Sequence, residues 1–274
     1  GEGYHYIYNQ IIRKIDSLFG KRPDLANLHG LSWAKPLRKN IYWSARELGP
    51  LSFAASRKTG REIDLLHLIG ISACRYFCRQ MRGVLRHKAN RNFVAVRTDD
   101  RGSKNLRSLI IADAGGEFEF FNDLISNLEG SSCYYVWEKV ASEYSNAEWL
   151  KIDPSHGSVP WGESEGLLCE IVKAFNFQGL DSVERTLLSF FWPMVTEALI
   201  IKRDLLQLFE RGVRCIFFFG GQDRWQANIG CQLARATGVT TINLMNGTRF
   251  GWPQDGDVEF DQWIVWDSSM RDRL

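Results

Sequence analysis

Three short stretches of this chain combine glycines with groups able to hold or move charge. Asp113, Gly115, Gly116 and Glu117 lie in IIADAGGEFEF, and Gly220, Gly221, Gln222, Asp223 and Arg224 lie in FFFGGQDRWQAN. Asn246, Gly247, Thr248 and Arg249 lie in LMNGTRFGWP, with Trp252 at its end. Each stretch closes an apolar run, and the first two open a helix-like segment. Glycine lets a backbone approach a ligand closely, and the free N–H groups of a helix start favour an anion or a sugar hydroxyl. The same glycines also serve plain chain reversal, and Asp223 also suits a helix cap.

Other chemistry is sparse. The histidines His5, His29, His67, His87 and His156 are scattered, and none adjoins a candidate nucleophile. His156, in the turn-like DPSHGSVPWG, is the one kept as a candidate base. Neither G-x-S-x-G, a P-loop nor H-E-x-x-H occurs. The six cysteines, Cys74, Cys78, Cys133, Cys169, Cys215 and Cys231, form no C-x-x-C, and no metal site is expected. Cys74 and Cys78 would share a helix face, which suits burial better than a metal pair. Free thiols fit a reducing, cytoplasmic compartment.

These loops need a scaffold, and 274 residues with 45% apolar content can build one. The net charge of +2 gives no whole-molecule field. Its distribution is uneven: Arg75 to Arg107 holds ten Lys and Arg against two Asp. The segment Arg75–Arg91 reads as a helix with solvated or snorkelling arginines, or as a face for an anionic membrane surface or a phosphate-bearing substrate. No nucleic-acid motif accompanies it. No apolar run reaches the length of a membrane span. The chain starts on Gly rather than Met, so a fragment is expected.

The pattern predicts a mainly helical region over 1–90. YHYIYNQIIRKIDSLFG has helical spacing with a stop at Gly20, loops and short helical turns follow to about Gly60, and a long helix follows those. From 91 to 260, apolar runs alternate with helical segments, which implies an α/β fold with a parallel sheet and flanking helices. FVAVRT, RSLIIAD, SCYYVWEKV, AEWLKID, RCIFFFGG, VTTINLMNG and QWIVWD read as strands. Val183 to Arg211 reads as a long helix that Pro193 kinks or interrupts, and RWQANIGCQLARATG as a helix ending at Gly238. In a parallel sheet the ligand crevice lies off the carboxyl ends of the strands, where all three glycine-bearing stretches fall.

The order G-x-D-x-x-x-x-N, helix, G-V-T-T-I-x-L-x-x-G, polar loop with Pro, then D-x-W-I-V-W resembles the end of the amino-terminal half of GT-B glycosyltransferases that build bacterial surface polysaccharides. The resemblance covers about 214–274 and, more loosely, 92 onward. It implies a Rossmann-like domain over 91–260 and the start of a second Rossmann-like half at 261–274. Gln222 and Asp223 match the family's Asn-Asp pair. Asn246 and Gly247 match the His-Gly of its Q-H-G tripeptide, with Met245 in place of Gln. Asn246 hydrogen-bonds but takes no proton at neutral pH, which makes Asp223, and after it Glu117, the implied catalytic base.

On this resemblance Gly115, Gly116, Gly220, Gly221, Gln222, Asn246, Gly247 and Thr248 line the acceptor site. Arg249 or Arg224 meets the donor phosphate, and Trp252 stacks on a sugar ring. The nucleotide-sugar donor is held mainly by a further domain, and no other cofactor is implied. The acceptor is a glycan or glycolipid of the cell surface, at a cytoplasmic site peripheral to the inner membrane. Two other readings stay open: a non-catalytic Rossmann-like module that binds a glycan or a protein, and a small self-contained enzyme using the same loops.

Overall fold

The computed structural model describes residues 2–41, 92–97, 106–112, 131–137, 149–151, 178–220, 224–244, 258–265 and 268. Contacts divide the chain into two units, Gly1–His87 with Val159–Leu199, and Lys88–Ser158 with Ile200–Leu274. The return of 159–199 to the first unit rests on contacts far apart in sequence.

In the first unit, helix α1 (Glu2–Lys21) buries Ile15, Leu18 and Phe19, a stripe at helical spacing. Gly20 does not stop it: it lies inside the helix without a positive φ, and the helix continues to Lys21. After α1 the expected short helical turns follow, α2 (Pro23–Ala26) and a 3-10 turn (Leu28–Gly30), and then a helical stretch at 34–41. Both prolines there, Pro23 and Pro36, occupy first turns, where a missing N–H has no partner to lose. Helix α3 (Ser182–Glu210), of which the part up to Leu199 belongs to this unit, runs through Pro193 without interruption. Its neighbours Phe190, Phe191, Trp192, Met194 and Val195 are all buried. At about 2 kcal/mol per buried side chain, they outweigh the ~3 kcal/mol cost of an internal proline.

Phe191 centres the core of this unit. Its ring meets Phe19 at 5.9 Å, Trp33 at 5.3 Å and Trp192 at 5.3 Å between centroids, each edge-on. Trp33 also donates its indole N–H to the Leu28 carbonyl at 2.9 Å.

The second unit carries a seven-stranded sheet in the order β4-β1-β3-β2-β5-β6-β7. Its strands are β1 (Asn92–Arg97), β2 (Leu106–Ala112), β3 (Ser131–Trp137), β4 (Trp149–Lys151), β5 (Cys215–Phe219), β6 (Thr240–Leu244) and β7 (Gln262–Ile264). Five of them, β3, β2, β5, β6 and β7, are parallel, as an α/β fold requires. The sheet is nevertheless mixed, because β1 runs antiparallel to both β3 and β4. The reason is the connection 98–105, which is shorter than the dozen or more residues of a parallel crossover.

Helix α4 (Trp225–Thr237) joins β5 to its parallel neighbour β6. Gly238 closes it at φ 71°, donating its N–H toward Arg235 O while Val239 N–H reaches Ala234 O at 2.9 Å. This paired closure needs a left-handed residue after the helix. The centre of β5, Ile216 to Phe218, is buried, and so is Leu205 from the second half of α3.

Candidate functional site at the carboxyl ends of the parallel strands

The three glycine-bearing stretches directly follow adjacent strands, all at one end of the sheet. Ile111 of β2 pairs with Phe218 of β5, Phe218 with Asn243 of β6, and Phe219 with Leu244. With strands about 4.8 Å apart, the chain leaves Ala112, Phe219 and Leu244 within roughly 10 Å of one another. Counted along the chain, the five strands of the continuous parallel ladder lie in the order 2-1-3-4-5. The next two co-directional strands, β3 and β4, lie to one side of β2, and β5 lies to the other. Connections in opposite directions leave a crevice between the strand ends where they diverge. That divergence falls between β2, followed by Asp113 to Glu117, and β5, followed by Gly220 to Arg224.

Two of the expected site residues are themselves described. Gly220 is buried, with φ 60°, and donates its N–H to Leu244 O at 2.8 Å. It adds one rung to the β5–β6 ladder and then turns the chain in the left-handed region, where glycine alone avoids a Cβ clash. Arg224 stands in extended conformation at the N-cap of α4 and offers no side-chain cap. Its guanidinium is partly buried, which pulls its pKa below the ordinary arginine value. The first turn of α4 carries no acidic side chain, so the positive end of that helix is not neutralised from within.

Gly115, Gly116, Glu117, Gly221, Gln222, Asp223, Asn246, Gly247, Thr248, Arg249 and Trp252 lie outside the described residues, as do Arg75–Arg91, His156, Cys74, Cys78 and Cys169. What is described is the scaffold from which the three loops depart.

Two residues at this end of the sheet escape a reading of the sequence. Asn243 is wholly buried in β6, in register between Phe218 and Trp263. Gly230, inside α4, lies over the ring of Phe218. Its signal was available, since a glycine inside a helical pattern asks for a packing reason.

A side chain adds to the backbone pairing of β7 with β6. Thr241 donates its backbone N–H and its hydroxyl to Asp261 Oδ2 at 2.7 and 2.8 Å, and Asp261 N–H donates to Thr241 Oγ1 at 3.1 Å. Among the described residues, no group of three or more His, Cys, Asp or Glu gathers in a way that could hold a metal ion, and no helix is long and apolar enough to cross a membrane. No protein-family model, curated protein or solved structure matches this chain.

Proposed function

We propose that this chain is the acceptor-binding half of a GT-B type glycosyltransferase, with a Rossmann-like domain that transfers a sugar from a nucleotide sugar to a cell-surface glycan or glycolipid. One observation carries the reading: the loops after β2 and β5, both glycine-bearing, flank the point where the parallel strand order diverges. The acceptor hydroxyl would lie among the three loops. Asp223, or after it Glu117, takes its proton, Arg224 or Arg249 meets the donor phosphate, and Trp252 stacks on a sugar ring. A further domain holds most of the donor nucleotide. Arg75–Arg91 would bring the protein to the cytoplasmic face of an anionic membrane, where a lipid-linked acceptor lies.

A second reading, a non-catalytic glycan- or protein-binding module, is favoured by Asn246, which cannot serve as the base that a histidine there could be. Calorimetry separates the candidates: acidic oligosaccharides and glycolipids are titrated in one set, nucleotides and nucleotide sugars in the other. Binding of glycans alone is expected. Tight nucleotide binding by this chain would sink the acceptor-half reading in favour of a self-contained enzyme. Asp223→Asn in the transferring protein then decides between enzyme and module. An unaltered transfer rate removes Asp223 from the role of base.

A further inference from the structure

A Cβ built on Gly230 would stand 2.8 Å from Phe218 Cζ and 3.3 Å from its Cε1, with Leu205 Cδ1 at 3.9 Å. Carbon atoms in contact keep about 3.5–4.0 Å apart, so a side chain there forces either the ring or the helix to move. The ring is held. Phe218 is 3% exposed, its centroid lies 5.4 Å from that of Phe260, and Phe260 meets Trp263 edge-on at 5.1 Å. Glycine is a poor helix former, so its place in the second turn of α4 needs a packing reason, and Phe218 supplies one.

We propose that Gly230 is a positioning residue for the crevice between β2 and β5. Having no side chain, it seats α4 on Phe218. It thereby sets where Arg224 and the first turn of α4 come to rest. Gly230 lies six residues after Arg224, about 9 Å along the axis at 1.5 Å per residue. A helix lifted at Gly230 carries its amino-terminal end with it, and Gly220 lies only four residues before Arg224 in the chain. The functional consequence rests on the reading of that crevice as the binding site, whereas the seating is tested without any ligand.

Amide hydrogen exchange on the full chain makes the test. Gly220 N–H, bonded to Leu244 O at 2.8 Å, reports the crevice end of the β5–β6 pair, and Thr240 N–H, bonded to Arg214 O at 2.9 Å, reports the opposite end. Gly230→Ala is expected to speed exchange at Gly220 by about tenfold or more while Thr240 stays within about twofold. Adding Phe218→Leu, which removes the clashing ring edge, should restore Gly220 protection. Unchanged exchange at Gly220, equal acceleration at both amides, or no rescue in the double variant would overturn the proposal. If Gly230→Ala alone fails to fold, a folded, protected double variant supports the clash and an unfolded one overturns it. A wild-type chain that binds none of the titrated compounds would sink the binding reading and leave the exchange result standing.

Discussion

The carboxylate of Glu184, wholly buried, accepts hydrogen bonds at 2.7 and 2.8 Å from the ammonium of Lys21, which reaches it from the surface across 163 residues of sequence. Ser17 Oγ donates to the same carboxylate at 2.5 Å and Asp181 N–H at 3.0 Å. Asp181 returns the favour to the helix by accepting Glu184 N–H at 2.8 Å, a reciprocal capping box at the start of α3. Lys14 closes the clasp on Asp181 at 2.6 Å. Two positions of one box thus fasten α1 to α3.

Removing the buried carboxylate should matter far more than removing the exposed cation. Glu184→Ala is expected to destabilise the protein by about 2–4 kcal/mol, since it deletes a cap and strands the donors of Ser17 and Asp181. Lys14→Ala, at a pair exposed on both sides, should cost under about 1 kcal/mol. Urea unfolding of both variants checks the ranking.

The same clasp sets the acid limit of stability. Salt-bridging to Lys14 holds the Asp181 carboxyl below its ordinary range, and Glu184 is also lowered: burial opposes ionisation, but the bonds from Lys21, Ser17 and Asp181 N–H prevail. Groups depressed on folding contribute stability that is fully present above their unfolded pKa values, about 4, and lost as pH falls through the folded values. Lys14 is raised by its bond to Asp181, so its share is full below the unfolded lysine value, about 10.4, and lost as pH rises through the folded one. The midpoint of thermal unfolding should therefore be flat near neutrality and fall below about pH 4. Glu184→Gln should flatten that acid limb, and an unchanged limb would contradict the assignment.

Two helix-end glycines should respond with opposite signs. Gly238 has φ 71°, where a Cβ is strained, so Gly238→Ala is expected to cost about 1 kcal/mol or more. A Cβ on Gly20 meets nothing within 4 Å and its φ is not positive. Gly20→Ala should raise stability by up to about 1 kcal/mol through helix propensity. Thermal denaturation of the pair reads the difference directly.

The Thr241–Asp261 lock should govern β7. Thr241→Val keeps the shape of the side chain but removes the hydroxyl, and is expected to cost about 1–2 kcal/mol. Exchange of the β7 amides should accelerate more than that of β5. Equal protection would show that strand pairing alone holds the edge.

Cys215 should be a slow thiol. Burial, with the nearby Asp261 charge adding to it, pushes its pKa up to about 11. At pH 8 it then holds on the order of a hundredfold fewer thiolates than an unperturbed cysteine with a pKa near 8.5. Peptide-level mass spectrometry after iodoacetamide treatment is expected to find Cys215 almost unmodified while the protein is folded and fully modified in denaturant.

Local pattern sufficed for most features that depend on neighbours in sequence, the stop expected at Gly20 excepted. The 3.6-residue stripe of Ile15, Leu18 and Phe19 marks α1, the apolar runs mark the strands, and Gly238 marks the end of α4. That glycine-bearing loops follow β2, β5 and β6 is equally legible, because each sits directly after its strand. Strand order is different in kind, since it depends on which strands meet across gaps that periodicity does not span. Only the tertiary structure set β5 beside β2 rather than beside β3, turned β1 antiparallel, carried α3 through Pro193 and brought Lys21 to Glu184. Each of these depends on burial and pairing between distant segments, which outweigh the local preference of a proline or of a short apolar run. The sequence determined which residues could do chemistry, and long-range packing decided that the strands bearing them end side by side.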